Sequence, residues 1–191
     1  MTQTTPGRKL TAPPDLELGV PECPKGLGEV IGAPSSKDLI AGVVLQPFSI
    51  HPDDRGYFLE VQRMGVGVAA HFPAATTQIS AALNYPGCIK AFHYHLHQTD
   101  FWTPAKGLFQ VALVDLRLGS ASFGARNTLY VGGLRPWQIL IPPGVAHGYK
   151  VIGHEESMLV YLTDRFYNPQ DEGRIPYNDA SIQYDWETQW K

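Results

Sequence analysis

His93, His95, Asp100 and His147 are the side chains best spaced to do chemistry together in this chain. Side chains two apart in an extended strand share a face, so His93 and His95 point the same way. Asp100 can reach that face from the far side of a short turn. His147, in Pro142-Pro-Gly144-Val-Ala-His147, can reach it from another strand. Three imidazoles and one carboxylate in a pocket can bind a divalent ion such as Zn, Fe, Mn or Ni, or can move protons on a substrate. Spacing alone leaves both uses open. His97 continues the alternation but falls between the two motif positions and is expected to face solvent. His51, His71 and His154 sit in turn-like or polar contexts and read as surface residues.

Positioning such a set takes several strands, and the sequence supplies them. From Leu39 onward it breaks into short apolar runs: Leu39–Phe48, Tyr57–Gln62, Cys88–His95, Leu108–Leu116, Gln138–Ile141, Gly148–Ile152 and Met158–Leu162. Turn residues separate them, as in Pro52-Asp-Asp-Arg-Gly56, Asn84-Tyr-Pro-Gly87 and Pro142-Pro-Gly144. The pattern predicts an all-β antiparallel sandwich or jelly roll. Val66–His71 has room for one or two helical turns, and Asp179–Trp190 reads as extended. Residues 1–38 are rich in Pro, Gly and Ser and read as an irregular N-terminal arm, ordered where it packs on the body or on a partner subunit. Residues 39–191 form the domain proper.

A chain of 191 residues with 43% hydrophobic and 17% charged residues fits one globular domain. The net charge of -3 and the absence of a basic run argue against nucleic acid as a partner. No run approaches the ~20 apolar residues that cross a bilayer, and the N-terminal residues lack the apolar stretch of a signal peptide. A cytoplasmic location with Cys23 and Cys88 as free thiols is expected.

The spacing Gly87-x5-His93-x-His95-x4-Asp100-x6-Gly107, followed by Pro142-x-Gly144-x2-His147, resembles the two cupin motifs and implies a double-sheet jelly-roll barrel. Over roughly Gly42 to Trp186 the chain is also similar to the dTDP-4-dehydrorhamnose 3,5-epimerase family, a metal-free cupin branch. The residues that carry this are Asp53-Asp-Arg55-Gly-Tyr-Phe58-Leu-Glu60, Gln78, Lys90-Ala-Phe-His93-Tyr, Val114-Asp115-Leu-Arg117-Leu-Gly-Ser120, Ile141-Pro-Pro-Gly144-Val-Ala-His147-Gly, Tyr161-Leu-Thr-Asp-Arg-Phe-Tyr167-Asn-Pro and Asn178-Asp179-x2-Ile-x2-Asp-Trp186. The resemblance implies that His93 removes a proton beside a sugar ketone and that Tyr161 or Tyr167 returns one on the opposite face. It implies that Arg55 and Lys90 bind the diphosphate, that Phe58, Glu60 and Gln78 hold the nucleoside or sugar, and that the protein is a homodimer. Asp115 with Arg117 reads as a structural charge pair, and Trp102 and Trp137 as pocket-wall or core residues.

Three departures from the family pattern bear on mechanism. The family's Lys seven residues before the glycine matching Gly107 is Asp100 here, and the Arg before its His motif is Lys90. No counterpart appears for the later Asp that hydrogen-bonds the family's catalytic His. Reversing charge at Asp100 and gaining His95 in place of Gln restores a metal-cupin set. An ion on His93, His95, Asp100 and His147 would polarise the ketone as the Lys does, leaving Tyr161, Tyr167 or His97 as base. The expected activity is epimerisation of a dTDP-4-keto-6-deoxysugar, as in dTDP-rhamnose biosynthesis, with or without metal. Competing readings are a metal-dependent cupin dioxygenase or lyase on a small polar metabolite, and a non-catalytic sugar-binding cupin.

Overall fold

The apolar runs become strands of two facing antiparallel sheets. The computed structural model describes residues 6–188. The arm contributes β1 (Pro6–Leu10), β2 (Leu18–Pro21) and β3 (Glu29–Val30). The body contributes β4 (Val44–Pro47), β5 (Ile50–Asp53), β6 (Gly56–Leu59), β7 (Gln78–Asn84), β8 (Ile89–His95), β9 (Asp100–Lys106) and β10 (Leu108–Asp115). It continues with β11 (Arg126–Gly132), β12 (Trp137–Ile141), β13 (Val145–Ile152), β14 (Ser157–Thr163) and β15 (Glu172–Arg174). One sheet runs β15-β8-β13-β10-β11-β3 and the other β4-β12-β9-β14-β7, while β1-β2 and β5-β6 are separate hairpins. This is the jelly roll that the sequence pattern predicts.

The central strand β10 shows why the sandwich forms. Its run Phe109-Gln-Val-Ala-Leu-Val is apolar on both faces, which is how a strand covered on both sides reads. Phe109, Val111 and Leu113 point inward and join Leu129, Val131, Ile139, Ile141 and Leu159 in the core between the sheets. Ala112 and Val114 point outward, into a second core with Phe92, Tyr94 and Ala146. That outer layer is completed by Leu18 and Val20 of the arm and by Ile175, Ile182, Tyr184 and Trp186 of the C-terminal segment.

The arm is therefore more ordered than its Pro/Gly content suggests, and it packs on its own body. Its backbone is tied in by Gly19 N–H to the Leu116 carbonyl (2.8 Å) and Cys23 N–H to the Ser181 carbonyl (2.8 Å). The nearly buried Arg126 guanidinium donates to the carbonyls of Pro24, Gly26 and Ile182, joining arm to C-terminal segment. Residues 1–5 and 189–191 lie outside the described residues, and the described part of Asp179–Trp190, read as extended, forms turns and one isolated bridge at Tyr184. Val66–His71 forms turns and no helix, because Gly65 (φ +75°) and Gly67 (φ +73°) adopt left-handed backbone that a helix excludes. Cys23 and Cys88 are free thiols.

Phe92 is fully buried and packs against Tyr184 and Trp186 at centroid distances of 6.1 and 5.6 Å. Phe92→Ala is expected to lower unfolding free energy by roughly 3–5 kcal/mol in urea titrations. A loss under about 1 kcal/mol would mean the outer layer is not part of the cooperative unit.

Candidate active site

A cavity of about 350 Å³ opens between the sheets at one end of the sandwich. The six-stranded sheet supplies Lys90, His93, His95, His147, Tyr149 and Glu172, and the five-stranded sheet supplies Gln78, Ala82, Asp100, Trp102, Leu159, Tyr161 and Thr163. Gln98 enters from the turn between β8 and β9, and Tyr167 from the loop after β14.

Local strand geometry explains the placement. His93 and His147 are direct partners across β8 and β13, so both imidazoles leave the sheet on its inner face. Phe92 and Tyr94 alternate with His93 and His95 and point into the outer core instead. Lys90 is three residues before His93, so strict alternation would put it on the outer face. A register shift between His147 and Tyr149 re-phases the pairing and brings Lys90 to the cavity as well.

The inner end is acidic and imidazole-rich. Asp100 is buried, accepting hydrogen bonds from Gln98 Nε2 (2.7 Å) and Trp102 Nε1 (3.1 Å). His147 Nδ1 lies 3.0 Å from the Val145 carbonyl, which can only accept, so the proton sits on Nδ1 and the lone pair on Nε2. That Nε2 is 3.5 Å from Asp100 Oδ2. His95 Nε2 receives the Gln98 amide at 3.2 Å and lies 3.7 Å from Asp100 Oδ1, which places the His95 proton on Nδ1, toward Asp171 Oδ2 at 3.8 Å. Burial pushes His147 down to about 4, outweighing the nearby Asp100 charge, so the ring is neutral at pH 7.

His95, Asp100 and His147 offer ligand atoms that all lie within 4.8 Å of one another. The four-residue set expected from spacing divides here, because His93 is not among them. Its Nδ1 faces Glu172 Oε2 at 3.7 Å, and its side chain is 36% exposed. Burial lowers the pKa of His93, partly offset by the Glu172 carboxylate. The ring therefore has a lone pair near neutral pH, as a base needs.

Tyr161 faces the same cavity from β14 and Tyr167 stands at its rim, where the Tyr167 N–H donates to Gln78 Oε1 (3.0 Å). Arg55, Phe58 and Glu60 are elsewhere. Arg55 is 83% exposed and pairs with Asp53 at 2.6 Å. Phe58 and Glu60 line a second cavity of about 390 Å³ with Phe48, Gln62 and Arg63. His51, His71, His97 and His154 are exposed, as expected. Asp115 and Arg117 form the charge pair (2.8 Å) that holds the β10–β11 turn with Ser120 and Ser122. Trp102 lines the cavity, and Trp137 packs at the core edge under the Arg135 guanidinium (4.9 Å to the ring centroid).

Sequence reasoning passed over Glu172, Asp171 and Gln98. Glu172 lies in a three-residue strand bounded by turn residues, with no periodicity to mark it. Gln98 was hidden in the turn between the His pair and Asp100, although a donor there is what two clustered acceptors require.

Jelly roll, imidazole on one sheet and phenol on the other define a cupin with groups able to take and give protons. The chain belongs to the dTDP-4-dehydrorhamnose 3,5-epimerase family, whose sequence profile matches residues 37–191. It is 42% identical over 155 residues to the spore coat polysaccharide biosynthesis protein SpsL of Bacillus subtilis, covering 80% of this chain and 100% of SpsL. It is 31% identical over 154 residues to the dTDP-4-dehydrorhamnose 3,5-epimerase of Pseudomonas aeruginosa, covering 78% of this chain and 84% of that protein. Among solved structures, the rmlC epimerase of Mycobacterium tuberculosis superposes with a TM-score of 0.68 at 26% identity, covering 82% of this chain and 78% of that one.

Because His147 stays neutral when folded but titrates at its ordinary 6.5 when unfolded, the unfolded chain gains a proton first as pH falls. Stability contributed by this site is complete above pH 6.5 and declines toward pH 4. Between pH 7 and 4 the native protein is expected to lose about 3 kcal/mol more than His147→Asn in urea titrations. Parallel losses would contradict the buried neutral ring.

Proposed function

We propose that the protein epimerises a dTDP-4-keto-6-deoxysugar at a carbon next to the ketone. The observation that carries this reading is His93 on one sheet and Tyr161 on the other, lining one cavity. His93 takes the carbon-bound proton and its electron pair moves into the ketone as an enolate. Tyr161 then donates its O–H proton to the opposite face of that carbon, and the ketone re-forms. Solvent restores both groups, so no redox partner is needed. Lys90 and Gln78 at the cavity wall are assigned to the diphosphate and sugar, and Tyr167 to the rim or to the acid role in place of Tyr161. The likeness to the Pseudomonas epimerase supports this substrate class.

Arg55, Phe58 and Glu60 fit a nucleotide-binding role only within a homodimer, because their hairpin lies outside the His93 cavity. The exposed Ile79 and Leu83 on β7, at the open edge of the five-stranded sheet, support such a pairing. The two free cysteines support a cytoplasmic setting.

A second reading adds a divalent ion on His95, Asp100 and His147. The His147 Nε2 lone pair faces Asp100 Oδ2 at 3.5 Å, an acceptor facing an acceptor, an arrangement that a proton or cation relieves. The donor set suits Zn, Fe, Mn or Ni. When bound, the ion would supply the positive charge beside the enolate oxygen that the family's Lys supplies.

In D₂O, the enzyme is expected to incorporate deuterium into a dTDP-4-keto-6-deoxysugar, and His93→Asn to slow this by roughly 10²–10⁴-fold. Tyr161→Phe is expected to keep exchange but lose inversion. Tight dTDP binding without exchange would favour a non-catalytic sugar-binding role. Metal analysis of untagged protein is expected to give near one equivalent, lost in Asp100→Asn. A value near zero removes the second reading.

A further inference from the structure

We infer that the Gln98 side chain gates the His95, Asp100 and His147 set: its carboxamide holds the lone pair that a divalent ion would take. The inference rests on the reading of these three groups as an ion site. Gln98 is buried, and its Nε2 donates to Asp100 Oδ1 at 2.7 Å and to His95 Nε2 at 3.2 Å. Nitrogen must stand at that point, since Oε1 there would face the carboxylate acceptor to acceptor. The two amide hydrogens thus serve one carboxylate and one imidazole. An imidazole nitrogen has a single in-plane lone pair, which binds a hydrogen or a metal but not both.

The three ligands themselves need little adjustment. His95 Nε2 stands 3.7 Å from Asp100 Oδ1, and His147 Nε2 stands 3.5 Å from Asp100 Oδ2. Tetrahedral bonds of about 2.0–2.2 Å would separate neighbouring ligand atoms by roughly 3.3–3.6 Å. What must move is Gln98, and its backbone is not free to do so. Asp171 Oδ1 accepts the His97 N–H at 2.8 Å, and Asp171 Oδ2 accepts the Gln98 N–H at 3.0 Å. Asp164 Oδ1 accepts the Thr99 N–H at 2.9 Å. The turn between β8 and β9 is therefore pinned by two carboxylates from distant loops, and only rotation of the Gln98 side chain can free the His95 lone pair. With the amide in place, its hydrogens offset the buried Asp100 charge. An ion that displaces it takes over that task, so Gln98 sets how tightly the site holds a metal.

The test titrates chelator-treated protein with Zn²⁺ by calorimetry, for the native chain, Gln98→Met and Asp100→Asn. Long-range ¹H–¹⁵N NMR follows the His95 ring before Zn²⁺ is added. Methionine keeps the length of the side chain and removes its donor. Gln98→Met is expected to bind Zn²⁺ roughly 10–100-fold more tightly than the native chain, and Asp100→Asn to lose binding. The His95 Nε2 signal is expected at a hydrogen-bonded position in the native chain and at that of an unbonded ring nitrogen in Gln98→Met. Where Zn²⁺ binds the native chain, the Gln98 side-chain NH₂ resonances are expected to move, a readout that needs no variant. Equal or weaker affinity in Gln98→Met, an unmoved His95 signal, or NH₂ resonances that ignore bound Zn²⁺ would overturn the inference. Zn²⁺ bound by Gln98→Met alone would uphold it while removing the ion reading for the native protein. Zn²⁺ bound by neither would overturn both.

Discussion

The register of β8 against β13 is the constraint on which the site depends. It is held from both sides of the sheet. On the outer face Phe92, Tyr94 and Ala146 pack under the arm and C-terminal segment, while on the inner face His93, His95 and His147 meet the cavity. Slipping this pair by one residue would drive imidazoles into an apolar layer and bring Phe92 to the cavity wall. Each buried aromatic and each unsolvated imidazole would then be in the wrong medium, at a cost of several kcal/mol. The outer hydrophobic layer, which lies outside the cavity, therefore fixes which side chains face it. Nearly all of the arm lies before residue 37, where the family profile begins, yet Leu18 and Val20 are integral to that layer.

Inside the cavity, burial and neighbouring charges set two environments along one strand. His95 and His147 sit deep with Asp100, where burial keeps His147 neutral and neighbouring carbonyls and carboxylates hold the protons on Nδ1. His93 sits nearer solvent beside Glu172, where burial lowers its pKa and the Glu172 carboxylate partly offsets that. Consecutive acidic residues serve consecutive inner-face histidines: Asp171 faces His95 and Glu172 faces His93. Glu172 opens the short antiparallel strand laid along β8, and Asp171 sits in the turn just before it.

Much of this was legible in the sequence, because alternation is a local property. His93, His95, Asp100 and His147 could be assigned to one face from spacing, and Tyr161 and Gln78 to the same cavity from resemblance. Strands β8, β10, β12 and β14 were visible as apolar runs. Strands β7, β9 and β11 were not, because Ser80, Pro104 and the polar start Arg126-Asn-Thr128 blur the pattern. Asn127 and Thr128 are nonetheless fully buried, satisfied by Asp38 and Leu27 carbonyls that are distant in sequence. The separation of His93 from the other three groups was also beyond local reasoning. His93 instead has Glu172 beside it, which strand pairing brings in from far along the chain. The same limit hid the position of Arg55, Phe58 and Glu60, which do not line the cavity.

The central claim is that the carbon beside the ketone is handled between His93 and Tyr161. A crystal structure with a dTDP-linked 6-deoxysugar bound tests it most directly. The account predicts the hexose in the cavity between the sheets, with that carbon about 3–3.5 Å from the His93 ring and Tyr161 on its other face. A sugar seated in the Phe58 cavity, or turned so that both groups meet the same face, would contradict it.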